Sequence, residues 1–361
     1  MVYDIVLLPV TILFILSGLG LFYYAIKLNQ KFPLEHNFAN SITTFFLWVI
    51  AGLIYPFYLS IHNLNFKLFQ ILSIFCICIF TPFLVFLILF YQHHVVSRKN
   101  PDIRKRRDLN NFLKNFDMKE DDSLQQDSNK IKTDLHRKAL HLFPAGIIII
   151  LWIFAVYIWD VLWNVDEVWQ ITGMEFGQFL ILTAGYSGIL IFGALDYIRL
   201  SFVFENHNLF HLIPDNVLSL LEKTMKRNEN YNYIKPIVLA LPFAIIFIFP
   251  FSIFAAAALI ATLGDGAASV FGLRFGKSHF PKSSEKTIVG YVAGFLTSFC
   301  IAFLSFLIFE SMLNSFEILL ISLSGALVFL VIDFSNLKID DNILNPIFIA
   351  LIMGSLYYLV I

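Results

Sequence analysis

The chain has 361 residues, of which 58% are hydrophobic and only 14% are charged. A soluble domain of this length needs far more charge to stay dispersed, so the composition excludes an ordinary water-soluble fold and points to a membrane protein. The net charge of −1 says little by itself, because it hides a strong segregation of the basic residues along the chain.

A helix needs roughly 20 apolar residues to cross the hydrocarbon core. Ten segments qualify: 2–26, 38–60, 68–91, 139–159, 178–198, 236–249, 251–272, 287–309, 317–333 and 343–361. The predicted fold class is therefore all-α, a polytopic helical bundle of about ten transmembrane helices with its N-terminus outside. The first segment lacks a basic flank and a small-residue cleavage site, so Val2 to Ile26 reads as a retained span rather than a removed signal. The apolar run from Pro236 to Phe271 is too long for one crossing, and Phe249-Pro250-Phe251 is expected to turn between two spans. The 41 Phe and 14 Tyr suit lipid-facing surfaces and interfacial anchors. Cys76, Cys78 and Cys300 fall inside apolar spans and read as buried thiols.

Basic residues set the orientation. With the N-terminus outside, 24 of the 25 Lys and Arg fall on the cytoplasmic side and only Lys67 outside. The opposite loop at 160–177 carries Asp160, Asp166, Glu167 and Glu175 without one base. The spans group as three leading helices (1–91), a flexible cytoplasmic linker (92–134) and a seven-helix catalytic membrane domain (135–361). The linker is rich in Asp, Asn and Ser and lacks the apolar periodicity of a core. Its Arg104-Lys105-Arg106-Arg107 run reads as a topology determinant touching anionic lipid, with no nucleic-acid partner.

The polar run from Gly264 to Gly290 carries the chemistry. Gly264, Ala268, Gly272 and Gly276 recur every four residues and share one helical face. Asp265 lies in the same stretch, about two turns before Arg274. Such a face serves helix packing, with Asp265 as a buried hydrogen-bond partner. The next dozen or so positions add Lys277, Pro281, Lys282, Lys286, Thr287 and Gly290 at the same membrane surface. A carboxylate, glycine backbone and several lysines suit a nucleotide phosphate chain with a divalent metal. The run is not a Walker A loop, because Gly272 and Gly276 enclose three residues where that motif needs four.

Here the sequence resembles the CTP-dependent lipid kinases: dolichol kinase, phytol kinase and a fungal-type diacylglycerol kinase. Asp265, Ala268, Gly272, Gly276, Lys277, Pro281, Lys286, Thr287 and Gly290 fall on that family's signature in order, while Val289 stands where the family has Glu. Arg137-Lys138-Ala139-Leu140-His141 looks like the family's Arg-Lys-x-x-His, and Asp340-Asp341-Asn342 with Asn345-Pro346 looks like its Asp-Asn…Pro. Without the family, the first reads as a snorkelling basic pair with an interfacial His, and the second as a helix cap. The matches cover about residues 134–361.

The resemblance implies transfer of the CTP γ-phosphoryl group to a membrane lipid alcohol at the cytoplasmic face. A dolichol or polyprenol is the first choice of substrate, then phytol or geranylgeraniol, then diacylglycerol. Mg²⁺ would accompany CTP, with Asp265 and Asp341 as its candidate carboxylates. Asp265, His141 and Lys286 are the candidate catalytic residues, with Gly264, Ala268, Gly272, Gly276, Lys277, Lys286, Thr287 and Gly290 around the nucleotide. Arg137, Lys138, Asp341 and Asn342 would support them. Asp333 is a weaker candidate, and Asp196 with Arg199 reads as a structural ion pair. The alternatives are a CTP:lipid cytidylyltransferase, whose His-Gly-Gly signature this chain lacks, and an ion-coupled transporter using Asp196, Asp265 and Asp333.

Overall fold

The computed structural model of the chain describes residues 4–58, 64–100, 102–114, 127–204, 207–281, 286–335 and 337–360. These fold as helices: α1 (Leu8–Lys31), α2 (Phe38–Tyr58), α3 (Phe66–Lys99), α4 (Asp102–Arg106), α5 (Asp127–Ile153), α6 (Gly173–Arg199), α7 (Asp215–Thr224), α8 (Lys235–Ile246), α9 (Phe251–Leu259), α10 (Asp265–Phe275), α11 (Ile288–Phe309), α12 (Ser315–Ser335) and α13 (Asp341–Val360). Among the described residues there is no strand, only an isolated bridge between His279 and Thr287.

Nine helical segments among the described residues are long and apolar enough to cross a bilayer, so the chain is an all-α, multi-pass membrane protein. The sixth of the ten expected segments departs from the pattern. Helix α8 has only 12 residues, about 18 Å at 1.5 Å per residue, against a hydrocarbon core of about 30 Å. The expected turn is present after it. Phe249 N–H bonds to the Ile246 carbonyl at 3.1 Å, and Pro250 caps α9. The three cysteines lie on spans as expected but are not fully buried: Cys76 and Cys78 are half-buried and Cys300 is exposed. An apolar face of a span needs no protein cover where lipid can meet it.

The expected linker is partly structured. Helix α3 runs 34 residues, well past position 91, through π-helical turns at Cys76–Phe80 and Gln92–Val96. Beyond it, Arg107 is buried rather than turned to lipid. Its Nε and Nη2 bond both carboxylate oxygens of Asp215 at 2.9 Å, and Nη1 reaches Gln92 Oε1 at 3.0 Å. These hydrogen bonds hold the Asp215 carboxyl below the usual carboxylate range, against an opposing effect of burial. Arg104, Lys105 and Arg106 remain exposed. A guanidinium fork fits a carboxylate bidentately, which explains why one arginine of the basic run leaves the surface. Residues 115–126 of the linker lie outside the described residues.

The chain divides into two compact units. One comprises 1–121 with 147–244, the other 122–146 with 245–361. The first unit is centred on aromatic packing of α1, α2 and α6: Phe14 lies 5.0 Å from Trp48 and 4.7 Å from Tyr186. Several of the polar groups buried in it are bonded to one another. Tyr55 Oη, Ser73 Oγ and Thr183 Oγ1 form a chain at 2.8 and 2.7 Å. Asp196 and Arg199, both fully buried, pair at 2.7 Å and also bind the backbone of Asn230 and Ile234, as a structural pair should.

In the second unit, the stretch through α9 and α10 is central. Of its most apolar window 61% is buried, against 17% for α3. Ala255 to Ala258 are fully buried, and such small side chains let α11 and α13 approach α9 closely. Helices α10 to α13 pack in sequence, each against the next, with α11 following α10 and α13 following α12 through short connections. Alternating directions bring connections 276–287 and 336–340 to one end of this unit.

Candidate functional site

Asp265 opens α10 immediately after a π-helical turn at Ile260–Gly264. A π-turn shifts the phase of the residues after it, a device common at functional positions. Here Asp265 leaves the α11-facing stripe and meets Lys138 on α5. The Lys138 ammonium and the Asp265 carboxylate form an ion pair, with side chains only 12% and 15% exposed. His141, three residues on from Lys138 in α5, is 8% exposed. Arg137 lies on the same helix, and its side chain is outside the described residues. The structure thus joins Lys138 to Asp265, with His141 one helical turn further along α5.

The four-residue glycine stripe is turned onto α11. A Cβ on Gly264 would stand 2.5 Å from Ser298 Oγ, and one on Gly272 would stand 3.0 Å from Thr287 Oγ1. From the other side, a Cβ on Gly290 would stand 2.8 Å from the Ala268 carbonyl oxygen. Small residues are needed because two helix backbones nearly touch there. This packing is the first role of Gly264, Ala268, Gly272 and Gly290. Gly276 belongs to the same packed face, since a Cβ there would run into the Gly272 carbonyl oxygen and the Thr287 side chain. Thr287 caps α11, its Oγ1 accepting from Gly290 N at 3.2 Å.

Between α10 and α11 the two described flanks of the connection pair with each other. Phe280 N bonds the Lys286 carbonyl and Ile288 N bonds the Ser278 carbonyl, each at 3.1 Å. Lys277 lies on this loop, and Lys282 lies outside the described residues. Lys286 extends to the C-terminal end of α12. Its Nζ donates to the Asp333 backbone carbonyl at 2.6 Å and to Asp333 Oδ1 at 2.7 Å. A cation at a helix C-terminus is favoured by the dipole as well as by the carboxylate. Asp333 is 10% exposed. It is only a weak candidate in the sequence. The available signal was an acid in the last turn of an apolar helix, where burial demands a basic partner.

Asp340 caps α13: its Oδ1 accepts from Asn342 N at 3.1 Å and from Asn342 Nδ2 at 2.7 Å. Asn342 also reaches Asp341 Oδ1 at 3.3 Å. Asp341 and Asn342 therefore sit at the same end of the unit as Lys286, in a capping arrangement. Among the described residues, no group of three or more His, Cys, Asp or Glu could hold a metal ion. That donor set does not suit a resident metal with an all-protein cage.

Comparison with protein-family models, with curated proteins and with solved structures returned no match.

Proposed function

We propose that this chain is a CTP-dependent kinase of a membrane isoprenoid alcohol of the dolichol or polyprenol type, giving a prenyl monophosphate and CDP. The observation that carries the proposal is the meeting of two remote segments in the second unit: Lys138 on α5 pairs with Asp265 at the start of α10. Lys286 and Thr287 follow the other end of α10, at the start of α11. These are the positions at which the sequence resembles the CTP-dependent lipid kinases.

Phosphoryl transfer asks mainly for positioning and for charge stabilisation. Lys286 and Lys277 would neutralise phosphate oxygens, and the capped N-terminus of α11 adds a favourable dipole for an anion. Asp265 would orient the attacking hydroxyl or hold the nucleotide-borne Mg²⁺. That ion, when bound, supplies further neutralisation of phosphate charge. His141 would contact the hydroxyl or a phosphate, since an imidazole exchanges protons near neutrality. The segregation of Lys and Arg supports a cytoplasmic location for this end, where a nucleotide and a lipid alcohol held in the bilayer could both reach it. An ion relay through Asp196, Asp265 and Asp333 is less well supported, because Asp196 is fully buried in an ion pair with Arg199.

The test is product analysis on purified protein given CTP or ATP labelled in the γ position, with polyprenol, geranylgeraniol, phytol and diacylglycerol offered separately. Label in polyprenyl phosphate with CTP is the expected result. Transfer of CMP to the lipid would assign the chain to the cytidylyltransferases instead, and no lipid product with any donor would remove the kinase reading.

A further inference from the structure

We infer that Asp333 is a positioning residue that acts as the resident counter-ion of Lys286 and is displaced when a polyphosphate binds. The inference rests on the phosphate-binding reading of this end of the unit, which it deepens.

Lys286 Nζ is held by two acceptors of one residue, the Asp333 carbonyl at 2.6 Å and Oδ1 at 2.7 Å. The carbonyl bond ties the ammonium to the end of α12, whereas the carboxylate neutralises it. Phe280 and Tyr291 lie beside the next residue, with ring centroids 5.7 and 6.0 Å from that of Phe334, so the loop, the start of α11 and the end of α12 are joined around the pair. Lys286 keeps 34% of its side chain exposed, while Asp333 keeps 10%. An incoming anion therefore reaches the ammonium from solvent, with the carboxylate behind it. The anion and the carboxylate compete for one charge, and like charges at that spacing repel. The carbonyl bond does not compete, so Lys286 stays in position when the anion arrives.

This arrangement predicts an unusual sign: removing an acid from the site improves anion binding. Asp333→Asn keeps the backbone acceptor and the side-chain shape but deletes the charge. The affinity of the purified protein for inorganic tripolyphosphate and for CTP, measured with chelator present, should rise about fivefold, the equivalent of a partly exposed ion pair. Asp333→Glu should bind like the unaltered protein, and Lys286→Met should lose most of the binding. A purely structural Asp333 would lower thermal stability in Asp333→Asn without tightening either anion. Should Asp333→Asn fail to insert, Asp333→Ser provides the same comparison. CTP binding that is unchanged or weaker in the charge-deleted variant overturns the counter-ion role and leaves the kinase reading standing. Tightening for tripolyphosphate with no preference for CTP removes the kinase reading and leaves the counter-ion. Binding of neither anion to any variant overturns both.

Discussion

The ammonium of Lys138 and the carboxylate of Asp265 form an ion pair between residues 127 positions apart in sequence. The pair fixes α5 against the start of α10 at the point where the chain leaves a π-helical turn. Both side chains are largely buried, so neither charge is comfortable alone.

The pair should therefore behave as a unit. Lys138→Met or Asp265→Asn alone is expected to lower stability by about 1–3 kcal/mol, less than for a fully buried pair because some solvent remains. The double variant should recover part of that loss. A double-mutant cycle on thermal unfolding in detergent reads the coupling directly, and strict additivity of the two losses would contradict the contact.

The α10–α11 junction makes a contrast between glycines. Gly290→Ala would drive a methyl group toward the Ala268 carbonyl oxygen, a backbone atom that cannot rotate away. The expected loss is about 1–3 kcal/mol, with weakened phosphate binding at the junction. Gly188 on α6 has nothing within 4 Å of an added Cβ, so Gly188→Ala should leave the unfolding temperature unchanged or raise it. Equal effects at the two sites would show that the stripe is not a packing face.

His36 gives the first unit a pH response. Its Nδ1 lies 2.7 Å from the Tyr231 carbonyl oxygen and its Nε2 3.2 Å from Ser41 Oγ. A carbonyl can only accept, so the Nδ1 proton is donated there and Nε2 accepts from the serine. Burial lowers the His36 pKa, against an opposing effect of the Tyr231 bond. A lowered folded value stabilises the neutral form. That contribution is complete above the ordinary value of about 6.5 and is lost as pH falls through it toward the folded value. Unfolding temperature should drop between about pH 7 and pH 5.5 in the unaltered protein, by more than in His36→Gln. Parallel curves for the two proteins would dismiss the effect.

Much of this architecture was legible in the sequence, for reasons that also explain the gaps. In lipid every backbone group must be paired within a helix, so a run of about 20 apolar residues leaves few alternatives. The nine spans among the described residues obey that rule. Helix α8 did not, because apolar content marks what is buried and not how far it reaches. The spacing of Gly264, Ala268, Gly272 and Gly276 foretold a shared face, since a helix repeats about every 3.6 residues. Which partner that face would meet was not written there. Long-range pairings were the hardest part: Arg107 with Asp215 is 108 residues apart, and Lys286 with Asp333 is 47. Local periodicity carries no trace of either. Within the expected linker, Arg106 and Arg107 both pair with the distant Asp215, which its polar composition does not show.

The most direct test of the central claim is lipid phosphorylation from γ-labelled CTP by Asp265→Asn and Lys286→Ala, with insertion and folding of each variant checked by thermal unfolding. Each should fall at least about a hundredfold below the unaltered protein, the scale seen when one preorganised charge contact is removed from a transferring group. Full CTP-dependent phosphorylation by both folded variants would contradict the site.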